Sequence, residues 1–399
     1  MMRSDVLLAL TGALATALVW LMLGTAHAAE GEPGSFTWTP SLKLASIVND
    51  NVDYEKGAGD GAPGMRVRPR LELAYRIMGL ELGADLGADI HQYSQADHQA
   101  SDQFYRAIGW AELGLAPGLR LRFSNALTPY PLRQGRPTDE AANMVQTNRT
   151  QLDLRWWHEL SNDQEIELGA QAAYFWSEKF SERVPQNGGG FVLDGNFHAN
   201  YWQGLLFAEL QMPVASRTAG YIRGQVSYRS LKEDSDADHL NISLVAGVRS
   251  NILPKLDLDL SGGVGLLSFE GLDDKLRALA RLDLRYQLDS GWSTVLEAHH
   301  LFSVDLIGRD VLESSARIAI EKRFGTATAV ELGTFITRFE VDSISSDPDI
   351  FGGAEIKLRR QLTRIFQVAL SYRHWWNRGT FGSNDFSQNR VVLELSVRL

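Results

Sequence analysis

The chain has 399 residues and a formal net charge of −10, with 44% hydrophobic and 22% charged residues. A helical membrane protein needs several apolar runs of about 20 residues. Only one is present, at the N-terminus, and with no cysteine a disulfide framework, a CxxC pair and a thiolate metal site are all excluded. A transmembrane β-barrel is not excluded, because every second residue of its strands faces water and hydropathy misses them; 36 glycines and 10 tryptophans fit that class.

The first element reads as a secretory signal. Arg3 starts it, Val6 to Leu23 is its apolar core, and Ala26-His27-Ala28 is a small-x-small cleavage site. Asp5 and the length of the core leave a retained anchor as the alternative. The polar stretch 29–35 favours cleavage, so the expected organisation is a signal peptide over 1–28 and one domain over 29–399.

Beyond the signal the dominant period is two. In Arg66–Ile77, Val67, Leu71, Leu73, Tyr75 and Ile77 oppose Arg66, Arg68, Arg70, Glu72 and Arg76. In Arg149–Trp157, Leu152, Leu154 and Trp156 oppose Arg149, Gln151, Asp153 and Arg155. In Leu276–Leu288, Ala278, Ala280, Leu282, Leu284 and Tyr286 oppose Arg277, Arg281, Asp283 and Arg285. Charge at alternate positions is too costly inside a sandwich core, but it is tolerated where that face meets water. No covering helices are visible for the opposite face, so it meets lipid. The prediction is an all-β, transmembrane, antiparallel up-and-down barrel. Its 18 strands fall near 36–48, 65–77, 80–91, 104–115, 119–127, 149–158, 165–177, 201–212, 221–230, 240–250, 255–267, 276–288, 292–301, 314–324, 328–339, 353–360, 365–376 and 390–399. Each is close to the roughly 9–11 residues that a tilted strand needs to cross.

The connections alternate in length. Met78-Gly79, Ala116-Pro117-Gly118, Ser161-Asn162-Asp163, Asp289-Ser290-Gly291 and Gly325-Thr326 are short, and long polar loops lie between them. Short periplasmic turns and long extracellular loops are the barrel pattern, with an even strand count placing both ends in the periplasm. Trp38, Trp156, Trp157 and Trp292 then fall at one interface and Trp176, Trp202, Trp375 and Trp376 at the other, as two girdles. Trp110 is out of place, in mid-strand on the water-facing side: either that register is wrong or the ring narrows the lumen.

The C-terminal hairpin is the most telling stretch: Phe366-Gln-Val-Ala-Leu-Ser-Tyr-Arg373, a polar loop with Ser383-Asn-Asp-Phe-Ser-Gln-Asn389, then Arg390-Val-Val-Leu-Glu-Leu-Ser-Val-Arg-Leu399. With it, the mature chain resembles the outer-membrane β-barrel proteins, of the β-barrel porin type, met in exopolysaccharide gene clusters. Such barrels usually end in Phe or Trp; this chain ends in Leu399. The resemblance implies export of a polysaccharide, with the alginate exporter as an analogue in architecture. Expected partners are outer-membrane lipid and lipopolysaccharide, the barrel-assembly machinery and periplasmic polysaccharide-export proteins.

Arginine outnumbers lysine 31 to 8. The alternation puts Arg66, Arg68, Arg70, Arg76, Arg106, Arg120, Arg122, Arg149, Arg155, Arg223, Arg229, Arg249, Arg277, Arg281, Arg285, Arg317, Arg323 and Arg373 in the lumen. Guanidinium stays charged and takes carboxylate or phosphate bidentately, so rings of arginine favour anions. The same face carries many acids, among them Glu72, Asp85, Asp153, Glu209, Asp259 and Glu331. Cross-strand Arg–carboxylate pairs also stiffen sheets, and that purely structural reading stands beside the channel reading. Tyr130, Arg133 and Arg136, in a proline-bearing loop, are candidates for a constriction, and Gly188-Gly189-Gly190 for a hinge in the next long loop.

Other functions have less support. Asp89/His91, Asp97/His98 and His299/His300 are candidate acid–base pairs, but no serine–histidine–acid set has convincing spacing, so no enzyme is expected. No motif supports nucleic-acid binding, a phosphate loop or a cofactor. Loop acids such as Asp50, Asp238 and Asp274 could bridge divalent cations to lipopolysaccharide, or simply be solvated. A scaffold barrel sheathing an export or electron-transfer partner is the alternative to a channel; without CxxCH, haem would arrive on another protein.

Overall fold

The computed structural model describes residues 34–50, 62–93, 103–131, 144–160, 163–177, 200–231, 238–253, 255–269, 274–288, 291–304, 310–340, 348–378 and 386–398. Eighteen strands account for nearly all of them: β1 (Ser35–Asn49), β2 (Ala62–Ile77), β3 (Leu80–Tyr93), β4 (Gln103–Ala116), β5 (Leu119–Pro131), β6 (Met144–Glu159), β7 (Glu165–Ser177), β8 (Asn200–Ala215), β9 (Thr218–Leu231), β10 (His239–Leu253), β11 (Leu256–Phe269), β12 (Lys275–Gln287), β13 (Trp292–Val304), β14 (Asp310–Phe324), β15 (Thr328–Glu340), β16 (Asp349–Gln361), β17 (Phe366–Arg378) and β18 (Phe386–Arg398). Each pairs antiparallel with its neighbours in sequence, and β1 pairs with β18, so the sheet closes and has no free edge strand. Most strands run past the expected spans at the loop end. There β5 reaches Pro131 and β13 reaches Val304, since a ladder needs no apolar residues once it leaves lipid.

The register fixes the two faces. Across four strands, Glu394, Ala45, Arg66 and His91 stand in one row, and Leu395, Leu44, Val67 and Ile90 in the row beside it. Followed round the barrel, the first parity is the inner face. The second is the outer face, where Leu152, Leu206, Leu244, Leu332 and Leu393 are exposed. An apolar face turned outward all round is what lipid requires.

The short turns bend as their glycines dictate. Gly79 and Gly118 both have φ of +74°, the left-handed region that only glycine enters without strain. At Gly118 a Cβ would also run into the Trp157 carbonyl oxygen.

The girdles need correction. Trp176, Trp202 and Trp292 are outward and exposed, but Trp157 pairs with Glu167 and Trp375 with Gly353, both on the inner face. Two adjacent tryptophans in a strand cannot both face lipid. Trp110 is an inner-face residue, opposite Gly83 and Ser124. Its ring lies where a Gly83 Cβ would be, so it is laid against the wall, and the absence of a side chain at Gly83 makes the room.

The inner face is not polar from end to end, as alternation implied. Near the loop end Phe104, Val145, Phe175, Tyr201, Leu267 and Phe339 are inner-face residues and are buried. Phe175 stacks on Tyr201 at 4.8 Å, and Phe339 on Phe351 at 5.3 Å.

At the same end the wall opens in two places. The β4–β5 ladder stops at Ala107 and Leu127, where Pro129 lacks the N–H to continue it. The carboxamide of Gln146, from β6, takes over: its Nε2 donates to the Tyr105 carbonyl and its Oε1 accepts from the Tyr105 N–H, both at 2.9 Å. The β12–β13 ladder stops at Ala280 and His300.

Candidate functional site in the barrel interior

All eighteen arginines expected in the lumen fall on the inner face by register. Lys43, Lys357, Arg359, Arg390 and Arg398, not among those eighteen, share that face. Tyr130 stands in β5 opposite Val145. Arg133, Arg136, Asp97, His98 and Gly188-Gly189-Gly190 lie outside the described residues.

Most of these guanidinium groups are held by carboxylates. Asp85, nearly buried, accepts from Arg70 Nε at 2.6 Å and Arg106 Nε at 2.5 Å. Asp89 takes Arg66, with His91 Nε2 2.9 Å from the same carboxylate. Arg68 and Lys43 close on Glu394 across the β1 seam, at 2.6 and 3.7 Å. Arg317 lies between Glu297 and Glu331, and Arg359 between Glu321 and Glu331. The cross-strand network foreseen as a structural device is present.

Glu209 is the most enclosed acid of this network, 2% exposed, with Arg249 Nη1 at 2.6 Å and Arg223 Nη1 at 3.6 Å. Arg249 also reaches Asp259 at 3.3 Å and lies over the Tyr221 ring, 4.2 Å from its centroid. Glu209→Gln removes the central charge and leaves two guanidinium groups side by side. Truncating one partner of a buried pair costs several kcal/mol, but both arginines are about one-third exposed, so the expected loss is about 2 kcal/mol. The urea midpoint of the folded, heat-modifiable band should fall accordingly. Arg155→Gln should leave it nearly unchanged, since that pair is 4.0 Å apart and Arg155 is exposed.

Three of the eighteen stand apart. Arg122, Arg149 and Arg285 are exposed to the lumen and form no ion pair among the described residues. Arg122 lies 5.9 Å from the centroid of the Trp110 ring, and its cross-strand neighbours Glu112 and Asp153 form no ion pair with it. It lines an inner cavity of about 560 Å³ with Arg120, Arg155 and the acids Glu112, Asp153, Glu165, Glu167 and Glu209. Arg285 lines a larger one, of about 950 Å³, near the short-turn end with Arg217, Arg249, Asp257 and Asp259.

Of the candidate acid–base pairs, Asp89 and His91 are brought together, 2.9 Å apart with Arg66 on the same carboxylate, whereas His299 and His300 are not. His299 faces inward to Glu313 at 3.1 Å, while its neighbour His300 faces outward to Ser314 at 2.7 Å. Among the described residues no group of three or more His, Asp or Glu could hold a metal ion. Asp50 accepts from the Asn389 backbone N–H and side-chain amide, and Asp238 from the Tyr228 hydroxyl, so these two loop acids have partners within the chain.

A closed 18-stranded antiparallel barrel, apolar outside and charged within, is the porin-like fold of outer membranes. Solved structures agree. OccK2 (OpdF) of Pseudomonas aeruginosa is similar, with a TM-score of 0.53 and 14% identity over 91% of this chain and 98% of that one. OpdK of the same organism, in a structure with vanillate, has a TM-score of 0.52 and 12% identity over 91% and 99%. OccAB4 of Acinetobacter baumannii has a TM-score of 0.52 and 12% identity over 93% and 99%. At this identity the likeness is one of fold. No protein-family model matches the chain, and no curated protein matches it in sequence.

Proposed function

We propose that the chain is a Gram-negative outer-membrane channel, exported by a cleaved signal peptide, that passes small anionic solutes along its inner arginines. The observation that carries this reading is the division of those arginines. Pairing with carboxylates accounts for most of them as wall structure. Arg122, Arg149 and Arg285 form no ion pair among the described residues and turn their guanidinium groups to the lumen. A charge aimed into a channel with low-dielectric walls acts on the permeating ion far more than a surface charge does. The structure of OpdK with vanillate supplies an aromatic carboxylate in a barrel of this fold, a solute of the class these arginines would take.

Passage of an exopolysaccharide, implied by the resemblance of the C-terminal hairpin, is the wider form of the same proposal. The buried, apolar inner face at the loop end favours the small solute. Lipopolysaccharide, the assembly machinery and periplasmic export proteins are the partners this reading implies.

The test is the reversal potential of the purified protein in a planar bilayer under a potassium chloride gradient. Chloride preference is expected, and cation preference would overturn the anion channel.

A further inference from the structure

Among the described residues, one side-chain amide of the outer face lies midway between the two aromatic girdles. It belongs to Asn125 of β5, whose cross-strand partner on that face is Thr150 of β6. Asn148 is the next outward residue of β6. The depth of the amide follows from the register. One row of outward partners runs Trp38, Leu73, Ala84, Gly109, Asn125, Thr150, Tyr174, Trp202. Barrel strands are tilted, so such a row climbs the wall. Here it climbs from a tryptophan near the short-turn end of β1 to one near the loop end of β8. Asn125 is four strands from the first and three from the second. The apolar band between girdles is about 25 Å tall, so the amide is about 12 Å from either edge.

Hydrocarbon offers a polar group no partner, and these side chains turn to one another. Asn125 Nδ2 donates to Asn148 Oδ1 at 3.1 Å and to Thr150 Oγ1 at 2.7 Å, and Asn148 Nδ2 donates to Asn125 Oδ1 at 3.3 Å. The second N–H of Asn148, the Thr150 hydroxyl hydrogen and one lone pair of Asn125 Oδ1 are then unused among the described residues. Thr334, also outward, places its hydroxyl on the Gly353 carbonyl at 3.0 Å. Beside the amide the wall is low. Ala111, Gly109 and Ala107 follow one another on the outer face of β4, and Ala84 of β3 flanks Gly109. Gly109 answers to nothing within its own chain: its φ is not positive, and a Cβ there would meet nothing within 4 Å.

A strip of small residues with an amide at its edge, in the middle of the bilayer, suits a second protein wall at the same depth. Small residues let backbones approach, and polar side chains bond across the contact. Lipid tails gain nothing from the amide, and neither a head group nor a soluble partner reaches it. The cluster holds donors and acceptors together, so it is complementary to itself. A two-fold axis brings like patches face to face.

We propose that the outer face of β3–β6 is the interface of a dimer, in which two copies of the chain meet wall to wall about a two-fold axis. The Thr150 hydroxyl of one copy donates to Asn125 of the partner subunit, and the reverse bond forms by symmetry. Gly109 and the alanines around it let the walls close. This rests on the outer-membrane reading alone and is indifferent to what the channel passes.

The chain has no cysteine, so Gly109→Cys introduces a single thiol. The full-length protein is oxidised with copper phenanthroline in the outer membranes of expressing cells and run heated on non-reducing gels. A covalent dimer should form about tenfold more abundantly than with Leu260→Cys, a position exposed on the outer face of β11. Adding Asn125→Leu and Thr150→Val to Gly109→Cys should lower the dimer by about tenfold. The folded, heat-modifiable band should stay as stable as before, because apolar side chains suit lipid. A cluster that serves only its own wall gives the reverse, a less stable band and an unchanged dimer, and that result overturns the interface. So does a Gly109→Cys dimer no more abundant than the Leu260→Cys one, or an adduct with a protein of another mass. Cation preference in the bilayer, which defeats the anion channel, leaves each of these outcomes as it is.

Discussion

Replacing Arg122, Arg149 and Arg285 together with glutamate is expected to invert the sign of the reversal potential, turning chloride preference into cation preference. Each substitution moves the lumen by two charges, and none removes a partner from an ion pair in the described wall. No ion pair among the described residues is lost and the side chains are exposed, but Arg122→Glu faces Glu112 and Asp153 and Arg285→Glu faces Asp257, so a loss of about 1 kcal/mol in stability is expected, with the fold retained. Neutralising Arg70, Arg106 and Arg317 instead is the informative contrast. Those arginines face Asp85, Glu297 and Glu331, so their loss uncovers carboxylates, lowers stability and shifts selectivity only through the acids released. If the triple reversal leaves the potential where it was, the three arginines are off the permeation path and the anion channel as drawn here fails, although the barrel stands. An unchanged heat-modifiable band in the same sample shows that the fold was not what moved.

Gly263→Val is expected to prevent assembly of the barrel, costing about 3 kcal/mol in packing strain. Gly263 faces inward on β11, between Val245 of β10 and Leu279 of β12. A Cβ there would strike the Leu244 carbonyl oxygen and lie 2.7 Å from Val245 Cα. Both obstacles are backbone, fixed by the ladder, so no rotamer change relieves them. Valine's better strand propensity returns only about 0.5–1 kcal/mol, and the clash wins. Gly224→Val is the matched control, because a Cβ at Gly224 meets nothing within 4 Å; it should fold as well as wild type. The measurement is the fraction of protein running as the folded band on unheated gels. A Gly263→Val barrel that assembled normally would show that β10 and β11 approach less closely than described.

The sequence by itself determined the class of fold, the strand count and the parity of the eighteen arginines named from it. Period-two alternation is a property of neighbouring residues: Arg66, Arg68 and Arg70 must share a face whatever the strand pairs with. Turn glycines such as Gly79 and Gly118 were legible for the same local reason. Tertiary structure decided everything that depends on what stands opposite. Whether an inner arginine is bound or unneutralised depends on the register across a pair, which leaves Arg122 without an acid though Asp153 is its cross-strand neighbour, while Arg249 meets two. The alternation that placed Trp110 inside could not show that Gly83, four residues from a turn in another hairpin, makes room for its ring. Nor could it show that Phe302, outward by parity, packs on an inner surface, because parity describes a strand relative to its own ribbon. Where the ladder to the next strand stops, as that between β12 and β13 does beyond His300, parity along the strand no longer fixes which surface a side chain meets.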